Sequence, residues 1–264
     1  MIINGATKII ALIGDPIEKA KTPEMLNNLL ADKGKLGEYL AVGFHIDEEH
    51  LSCAIQGIRS IENFVGAIVT MPHKTQILKL LDQVEPSVNV INASNVFIKK
   101  STGSLYGYNF DGIGFINGLK KADFDVKGKN IVIIGAGGAS ASISYEVLKN
   151  ECHTLTIMNR SIKNAKNLKQ KLATKFPTSK IYLNKIIQSI DLLINATPIG
   201  MKESDPLPIS EEIIQNSKFV ADCIVTIEET LFLKTAKNYC QTHHGKEMLN
   251  GQIHEILELF LELK

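Results

Sequence analysis

Two short segments of the sequence carry side chains suited to moving a proton. The stretch IVTMPHK places Lys74 directly after a run fit for a buried strand, and GYNFDGIG places Asp111 farther along the chain. A lysine beside an aspartate can donate and accept a proton, which the reduction of a ketone by hydride requires at the developing alkoxide. Most lysines are hydrated surface residues, so a solvated Lys74 is the alternative that the rest of the sequence must outweigh.

A glycine-rich segment supplies a place for a hydride-carrying cofactor. The apolar run IVII leads into GAGGAS, residues 135–140, and then into a predicted helix. In such a unit the first glycine permits the tight turn, the second lets a pyrophosphate approach the backbone, and the helix N-terminus favours negative charge. Glycines also form purely structural turns, but the flanking strand and helix favour dinucleotide binding. Ser140 stands at the third small position, where we expect helix–strand packing to tolerate it.

The end of the next predicted strand indicates which dinucleotide binds. An NAD-binding unit usually has an acidic residue there, which binds the ribose 2′-hydroxyl. This chain has Asn159, Arg160 and Ser161 instead. A 2′-phosphate can form a two-pronged ion pair with Arg160, and Ser161 can add a hydroxyl donor. The alternative is a surface arginine before a helix, but the missing acid favours the first interpretation. The sequence therefore predicts NADP(H).

The composition excludes several other classes of protein. The charges nearly cancel, at a formal net +1 over 264 residues, and no dense run of lysine and arginine indicates nucleic-acid binding. No apolar run approaches the length of a membrane span, and the start of the sequence lacks the features of a signal peptide. The four cysteines are scattered without metal-ligand spacing, so we expect reduced thiols, no metal site and a cytoplasmic protein. The pair His243-His244 is expected to form a solvated turn.

Strands and helices alternate along the chain in two series, which predicts two α/β domains with parallel-type sheets. The first domain is predicted over residues 1–102 and a Rossmann domain over 103–237, with a helical segment, 238–264, packing back on the first. Because ligands bind at the switch points of such sheets, we expect a cleft between the domains in which Lys74 and Asp111 meet.

The elements behind this prediction are read from apolar patterns and caps. The first series has strands at Lys8–Gly14, Leu40–Ile46, Phe64–Met71 and Val90–Lys99, and helices at Thr22–Gly34, Asp47–Ile61 and His73–Leu81. The helix Asp111–Lys121 leads out of it. The second series has strands at Ile131–Gly135, Thr154–Asn159, Lys180–Leu183, Asp191–Asn195 and Phe219–Ile224, and helices at Gly138–Asn150, Ser161–Phe176 and Met248–Leu263.

A set of ordered blocks resembles the shikimate dehydrogenase family over nearly the whole chain. These blocks are Gly14-Asp15-Pro16-Ile17 with Thr22-Pro23, VTMPHK, Ala93-Ser94-Asn95, GYNFDGIG, IGAGGAS, NRS, NATPIGM, EETLFL and MLNGQ. Together they are far more specific than one glycine loop. The resemblance implies reversible NADPH-dependent reduction of 3-dehydroshikimate to shikimate, by a substrate domain that includes the final helix.

The resemblance also implies roles for individual residues. Lys74 and Asp111 fall at the catalytic positions. The positions that contact substrate are Thr22, Thr70, Asn95 and Gln252. The positions that bind the cofactor are Gly135, Ala136, Gly137, Gly138, Ala139, Asn159, Arg160, Ser161 and Thr197.

Several positions depart from the family pattern, and all lie near the implied substrate pocket. The block that usually reads HSxSP is Lys19-Ala20-Lys21-Thr22-Pro23 here, so one serine is lost and the other is threonine. Three further polar positions are replaced by Ile68, Phe110 and Val225. A polyhydroxylated acid would thereby lose several partners, each worth about 0.5–1.5 kcal/mol. Lys19 and Lys21, beside a helix N-terminus, are the expected compensation for a carboxylate.

The sequence leaves two classes of function open. The first is an NADP-dependent oxidoreductase acting on shikimate or a related cyclic hydroxy acid, as a monomer or homodimer. The second is a non-catalytic NADP-binding sensor or regulator derived from such an enzyme. The Lys74 and Asp111 pair favours the first class, whereas the apolar replacements keep the second open.

Overall fold

The chain folds as two α/β units in the computed structural model, which describes residues 2–185 and 189–262. The second unit is Asp111–Gln252, and the first consists of the described residues before Asp111 together with those from Ile253 onward. The predicted fold class is therefore confirmed. Among the described residues, no helix is long and apolar enough to cross a membrane.

The boundaries of the two units differ from the predicted ones, and strand pairing explains the difference. Strand Leu105–Tyr108 pairs antiparallel with Val96–Lys99, so the first unit extends past residue 102. Strand Gln241–His243 adds to the second sheet, so the second unit extends past residue 237. The last helix, Gly245–Leu261, is divided between the units after Gln252.

The first unit is built on a six-stranded sheet that is parallel except for one strand. Its strands are β1 (Lys8–Gly14), β2 (Tyr39–His45), β3 (Phe64–Val69), β4 (Gln83–Val84), β5 (Val96–Lys99) and β6 (Leu105–Tyr108). Their order is β2-β1-β3-β5-β6-β4, and only β5 runs antiparallel to its neighbours. The two short strands β4 and β6 lie outside the predicted elements.

Helices cover both faces of this sheet because the strands alternate their apolar side chains between the faces. The helices are α1 (Thr22–Asp32), α2 (Leu51–Arg59) and α3 (Pro86–Ile91), and Gln76–Leu80 forms a 3₁₀ helix where a longer helix is predicted. On one face, Ile10 and Leu12 pack with α1 and with the last part of the helix Gly245–Leu261. On the other face, Ala11 and Ile13 pack with α2.

The reversal of β5 follows from α3, which occupies part of a segment predicted to be extended, Val90–Lys99. The Glu85 carboxylate caps α3 by accepting a hydrogen bond from the Ser87 backbone N–H at 3.0 Å, and Pro86 needs no partner at the first helical position. Asn92 ends the helix in the left-handed conformation, with φ of 60°. The chain then runs back along β3 in the opposite direction.

The second unit is built on a six-stranded sheet in which every pair of neighbours is parallel. Its strands are β7 (Asn130–Ile134), β8 (Thr154–Met158), β9 (Lys180–Leu183), β10 (Leu192–Asn195), β11 (Phe219–Asp222) and β12 (Gln241–His243). Their order, β9-β8-β7-β10-β11-β12, is that of a Rossmann fold. The order reverses between β7 and β10, and this switch point is where such a sheet binds a dinucleotide.

The helices of the second unit confirm the longer predicted ones and add two short ones. They are α4 (Asp111–Lys121), α5 (Gly138–Lys149), α6 (Ile162–Lys175), α7 (Glu211–Gln215), α8 (Leu231–Ala236) and, as far as Gln252, α9 (Gly245–Leu261). The predicted last helix ends at Leu263, which lies outside the described residues, and α9 begins three residues earlier than predicted. Glycines let α4 pack closely on α9, since a Cβ on Gly251 would collide with the Gly114 carbonyl oxygen.

We expect Gly251→Ala to lower the free energy of unfolding by about 1–3 kcal/mol, because the added methyl group must push two helix backbones apart. The helix propensity of alanine works in the other direction and is too small to offset the collision. Urea denaturation measures the change. Gly57→Ala in α2 is the matched control. Its Cβ would meet no atom within 4 Å, so it should stabilise by about 0.5–1 kcal/mol. Equal effects of the two substitutions would contradict the packing argument.

Candidate active site

The segment that carries Lys74 is held by backbone hydrogen bonds at the carboxyl end of β3. Thr70 N–H donates to the Ile13 carbonyl at 2.9 Å, and Ser94 N–H donates to the Lys74 carbonyl at 2.8 Å. His73 is fully buried, and its Nε2 lies 2.6 Å from the Ile46 carbonyl, to which it donates. Lys74 itself is half-buried. The backbone of the lysine is therefore fixed from both sides, while its side chain keeps access to solvent.

The predicted substrate-binding residues of the first unit lie at one edge of its sheet. Thr70 follows β3, and Thr22 opens α1, which follows β1. Asn95 precedes β5, and because β5 is reversed, its start lies at the same edge as the end of β3. Asn95 is buried, and its Oδ1 accepts a hydrogen bond from the Phe110 backbone N–H at 2.8 Å. All three residues thus follow or precede strands at the sheet edge where β3 ends and the segment of Lys74 begins.

The apolar replacements in the sequence have different surroundings. Ile68 is buried in the core cluster with Ile10 and Leu12, so it serves packing. Phe110 is partly buried against the same cluster, and its ring centroid lies 6.1 Å from that of Tyr108. Ala20 is exposed, as is Val225 of the second unit. Of these positions, 68 is part of the core, whereas 20 and 225 are exposed to solvent.

Asp111 and Gln252 both belong to the second unit, where α4 packs on α9. Asp111 is the first residue of α4 and is 2% exposed. Gln252 is also buried, and a Cβ on Gly114 would lie 2.7 Å from the Cβ of Gln252. Because Gly114 is three residues after Asp111, the two share a face of the helix. Gln252 thus lies against the face of α4 that carries Asp111.

The glycine-rich turn has the conformation that the sequence predicts. Gly135 has φ of 118°, and a Cβ there would lie 2.7 Å from the Ala196 carbonyl oxygen, so no other residue fits. Gly137 caps α5 in an extended conformation with no atom near its would-be Cβ, which leaves room for a ligand against the backbone. Ala136, Gly138 and Ala139 complete the turn and the start of α5, where amide groups and the helix dipole favour an anion.

Ser140 explains how this chain manages without the third glycine. Its side chain is fully buried, and its hydroxyl donates to the Gly135 carbonyl at 2.8 Å. The hydroxyl therefore ties the first turn of α5 to the glycine loop.

The connection after β8 presents Arg160 between two anchored neighbours. The Asn159 backbone N–H donates to Asn184 Oδ1 at 2.9 Å, and Asn184 Nδ2 donates to the Asn159 carbonyl at 3.3 Å. Ser161 caps α6 by accepting a hydrogen bond from the Asn164 backbone N–H at 3.4 Å. Arg160 is exposed. It is thus held at the edge of the sheet by its neighbours, with its guanidinium free to reach a phosphate.

Asn184 is a residue that sequence reasoning missed. It follows β9 with a positive φ of 45°, a conformation that asparagine tolerates better than most residues. The sequence shows only an asparagine at the end of a predicted strand. Its partner, Asn159, is 25 positions away along the chain, so no local pattern indicates their contact.

Thr197 lies beside the glycine loop, in the connection after β10. Its hydroxyl donates to Asn195 Oδ1 at 2.7 Å, and its Cγ2 would be 3.3 Å from a Cβ on Gly135. Since β7 and β10 flank the switch point, Thr197 and Gly135 form two sides of one crevice in the second unit.

Two further polar side chains, Cys152 and His243, have surroundings that favour packing over chemistry. Burial raises the pKa of Cys152 to about 12, so its thiol is not a nucleophile at neutral pH. His243 is buried between Phe115 and Phe219 and has its pKa lowered by that burial, contrary to the expected solvated turn. Within residues 2–185 and 189–262, no three His, Cys, Asp or Glu side chains are grouped to hold a metal ion.

Fold and motifs together define the class of the protein. The second unit has the strand order, glycine loop and helix start of a dinucleotide-binding Rossmann domain, and it is joined to a separate α/β unit with polar residues at one sheet edge. Proteins of this class include dehydrogenases and reductases, so comparison with known proteins decides the family.

Two family models match the chain. One, the shikimate dehydrogenase substrate-binding domain, matches residues 12–97, and the other, shikimate/quinate 5-dehydrogenase, matches residues 118–204. An NADP(+)-dependent shikimate dehydrogenase of Methanococcus maripaludis is 38% identical over 95% of this chain and 88% of its own length. The chain belongs to the shikimate dehydrogenase family, as its sequence blocks predict.

Solved structures give the same result and widen the range of chemistry. A shikimate dehydrogenase solved in complex with NADP+ is 34% identical, with a TM-score of 0.88 over 98% of this chain and 91% of that chain. A 5-ketofructose reductase of a Gluconobacter species is 28% identical, with a TM-score of 0.84 over 97% of this chain and 93% of that chain. The same fold therefore serves proteins named for different substrates.

Proposed function

We propose that this chain is an NADP-dependent oxidoreductase that interconverts a cyclic hydroxy acid and its ketone, shikimate and 3-dehydroshikimate being the leading pair. The observation that carries the proposal is the likeness, over 95% of the chain, to a protein named as an NADP(+)-dependent shikimate dehydrogenase. Lys74 and Asp111, the two candidates for proton transfer, are both present.

The proposed chemistry assigns proton transfer to these two side chains. NADPH, when bound, supplies a hydride to the carbonyl carbon of the substrate. Lys74 donates a proton to the oxygen that gains negative charge, and in the reverse direction it accepts the proton of the hydroxyl group. Asp111 is assigned to the same step as a second proton-transfer group.

Substrate binding is assigned to polar groups of both units. Thr22, Thr70 and Asn95, which lie at one edge of the first sheet, are proposed to hydrogen-bond the hydroxyl groups, and Gln252 of the second unit does the same. Lys19 and Lys21 are exposed just before α1. A carboxylate there would gain both from their charge and from the N-terminus of α1, which supports a substrate with an acid group.

Cofactor binding is assigned to the second unit. The turn from Gly135 to Ala139 is proposed to hold the pyrophosphate, with Thr197 beside it. Asn159, Arg160 and Ser161 are proposed to hold the 2′-phosphate of NADP(H). What supports NADP(H) over NAD(H) is an exposed arginine where an acid would repel the phosphate.

The proposal extends to the setting in which the chain acts. We place it in the cytoplasm, as a monomer or homodimer that acts on a small molecule without nucleic acid. The near-neutral charge supports this setting, as do the scattered cysteines, which form no disulfide among the described residues.

The direct test is an assay of NADP+ reduction with shikimate, quinate and aminoshikimate side by side, followed by the absorbance of NADPH. Turnover with any of them supports the proposal and ranks the substrates. Tight NADPH binding without turnover of any of the three, in either direction, would instead favour a non-catalytic NADP-binding sensor or regulator.

We expect Lys74→Met to lower kcat by about 10²–10⁴-fold while leaving NADPH affinity little changed, because methionine keeps the length of the stem but cannot transfer a proton. Steady-state kinetics and NADPH titration give the two quantities. Lys79→Met, which removes an exposed amine five residues away, is the control and should keep kcat. If Lys74→Met keeps most of its kcat, Lys74 is not a proton-transfer group and is only a hydrated surface residue.

The Asp111→Asn variant and the double variant show whether the two residues act as one unit. If the two side chains act in one step, kcat of the double variant should be little lower than kcat of the more damaged single variant. Additive losses would mean that they serve separate steps.

Arg160→Ala should raise the Kd of NADPH by about 10–100-fold and that of NADH by much less, because a charge-assisted contact worth about 1.5–3 kcal/mol is lost only for the phosphorylated cofactor. Fluorescence titration with both cofactors measures this. Lys171→Ala removes one exposed charge from the middle of α6 and controls for the net charge of the unit. If Arg160→Ala changes the Kd of NADPH and that of NADH equally, Arg160 does not bind the 2′-phosphate.

Restoring polar groups near the substrate should improve shikimate as a substrate. Each regained hydrogen bond is worth about 0.5–1.5 kcal/mol, so Ala20→Ser and Phe110→Thr should each lower the KM for shikimate by about two- to tenfold. The backbone N–H of Phe110 donates to Asn95 whatever its side chain, so the substitution preserves that anchor. NADPH affinity should stay unchanged. An unchanged KM in both variants would show that these two positions do not face the substrate.

A further inference from the structure

A buried carboxylate at the end of β11 has no role in the chemistry described so far. Asp222 is fully buried and accepts three hydrogen bonds within the second unit. Its Oδ1 accepts from Asn195 Nδ2 at 3.2 Å and from the Ile224 backbone N–H at 3.0 Å, and its Oδ2 accepts from the Thr230 hydroxyl at 2.7 Å. Burial raises the pKa of Asp222, and these hydrogen bonds oppose that shift.

The three donors require an acceptor-only group at this point. The Thr230 hydroxyl accepts a hydrogen bond from the Leu233 backbone N–H at 3.3 Å, at the start of α8, so its hydrogen is directed to Asp222. Asn195 Nδ2 and the Ile224 N–H can only donate. A carboxylate satisfies all three donors at once, whereas an asparagine would place an NH₂ group against one of them.

Asn195, held in this way, organises the connection after β10. Asn195 is fully buried, and its Oδ1 accepts from both the backbone N–H and the hydroxyl of Thr197, at 3.1 and 2.7 Å. Its Nδ2 also donates to the Ile199 carbonyl at 3.0 Å. The connection therefore folds around a single amide side chain, and Asp222 is one of the groups that fix that amide.

This connection borders the switch point on one side and Asp222 on the other. Toward the switch point, the Ala196 carbonyl and Thr197 Cγ2 lie against Gly135, within 2.7 and 3.3 Å of where its Cβ would be. At its other end, Gly200 packs against Thr230, whose Cβ would be 3.5 Å from a Cβ on Gly200. A displacement of the connection would thus change the shape of the dinucleotide crevice.

We infer that Asp222 is a positioning residue for the dinucleotide, which holds the connection after β10 against the glycine loop through Asn195 and Thr230. The inference rests on the proposed binding of NADP(H). Because β10 and β8 lie on opposite sides of β7, Asp222 acts away from the 2′-phosphate recognised after β8. Its loss therefore weakens NADPH and NADH binding by similar factors, unlike the loss of Arg160.

The test measures the Kd of NADPH and of NADH for the full chain by fluorescence titration without substrate, beside a urea denaturation curve for each variant. Asp222→Asn should raise both Kd values by about fivefold or more. Thr230→Val keeps the shape that packs on Gly200 but has no hydroxyl, and it should raise both by about threefold. Thr230→Ser, which keeps the hydroxyl, should stay within about twofold of the unchanged protein.

Val147→Ala controls for a general loss of stability. Val147 is fully buried near the end of α5, and its truncation should lower the urea midpoint without moving either Kd. A Val147→Ala protein with the same rise in Kd would overturn the inference, as would Kd values within twofold for both Asp222→Asn and Thr230→Val. Should Asp222→Asn fail to fold, the contrast between Thr230→Val and Thr230→Ser decides.

Failure of the proposed function looks different. An unchanged protein that binds neither NADPH nor NADH contradicts NADP(H) binding and the inference with it. If the wild-type protein, Asp222→Asn and Thr230→Val all bind NADPH and NADH with similar Kd values, the inference is wrong while the proposed function stands.

Discussion

The close approach of two backbone segments at the switch point of the second sheet governs the architecture of that unit. β7 and β10 are neighbours and parallel, so the connections that follow them emerge at the same edge, about one strand spacing apart. Only a residue without a Cβ can turn there against the Ala196 carbonyl, and Gly135 meets that demand with a positive φ. Ser140 and Asn195 then tie the surrounding chain to the two connections with hydrogen bonds.

In the first unit, the structural constraint is different, because the Lys74 amine must be placed just after β3, a wholly buried strand. Every residue of β3 is buried, and the chain must pass from this apolar run to a half-buried lysine within five residues. The turn succeeds because its polar backbone groups find partners in β1 and in the segment before β5, and because His73 binds a carbonyl group inside the fold. The backbone of the turn that carries Lys74 thus finds hydrogen-bond partners in neighbouring segments of the first unit.

Much of the fold could be predicted because its long elements have strong local patterns. The bounds of β1, β9 and α4 are the predicted ones, and the glycine turn adopts the conformation that its residues indicate. The short strands β4 and β6 escaped prediction because they are stabilised by partners distant in sequence and carry little periodicity of their own. The helix α3 was missed because it contains two valines and an isoleucine, which favour strands, although Pro86 marks its start.

The candidate site was predictable to the same degree. Arg160 and Thr197 could be found from motifs, whereas Asn184 and Asp222 act through partners 25 and 27 residues away, which no local pattern reveals. The environment of Ile68 could not be predicted either. The sequence shows that isoleucine replaces a polar residue there, but not that this isoleucine is part of the core. Whether Lys74 and Asp111 act together stays a prediction.

The division of α9 has a consequence for the order in which the protein matures during synthesis. Ile253, Ile256, Leu257 and Phe260 are buried in the core of the first unit, against strands made from the beginning of the chain. A ribosome makes these residues only after all of Asp111–Gln252, so the first unit cannot close one face of its sheet until the second has been translated. During synthesis the N-terminal domain usually folds first. Here the first unit can complete its fold only after the second unit has been made. A nascent chain halted before residue 253 would leave the part of this apolar sheet face beside α1 exposed to chaperones.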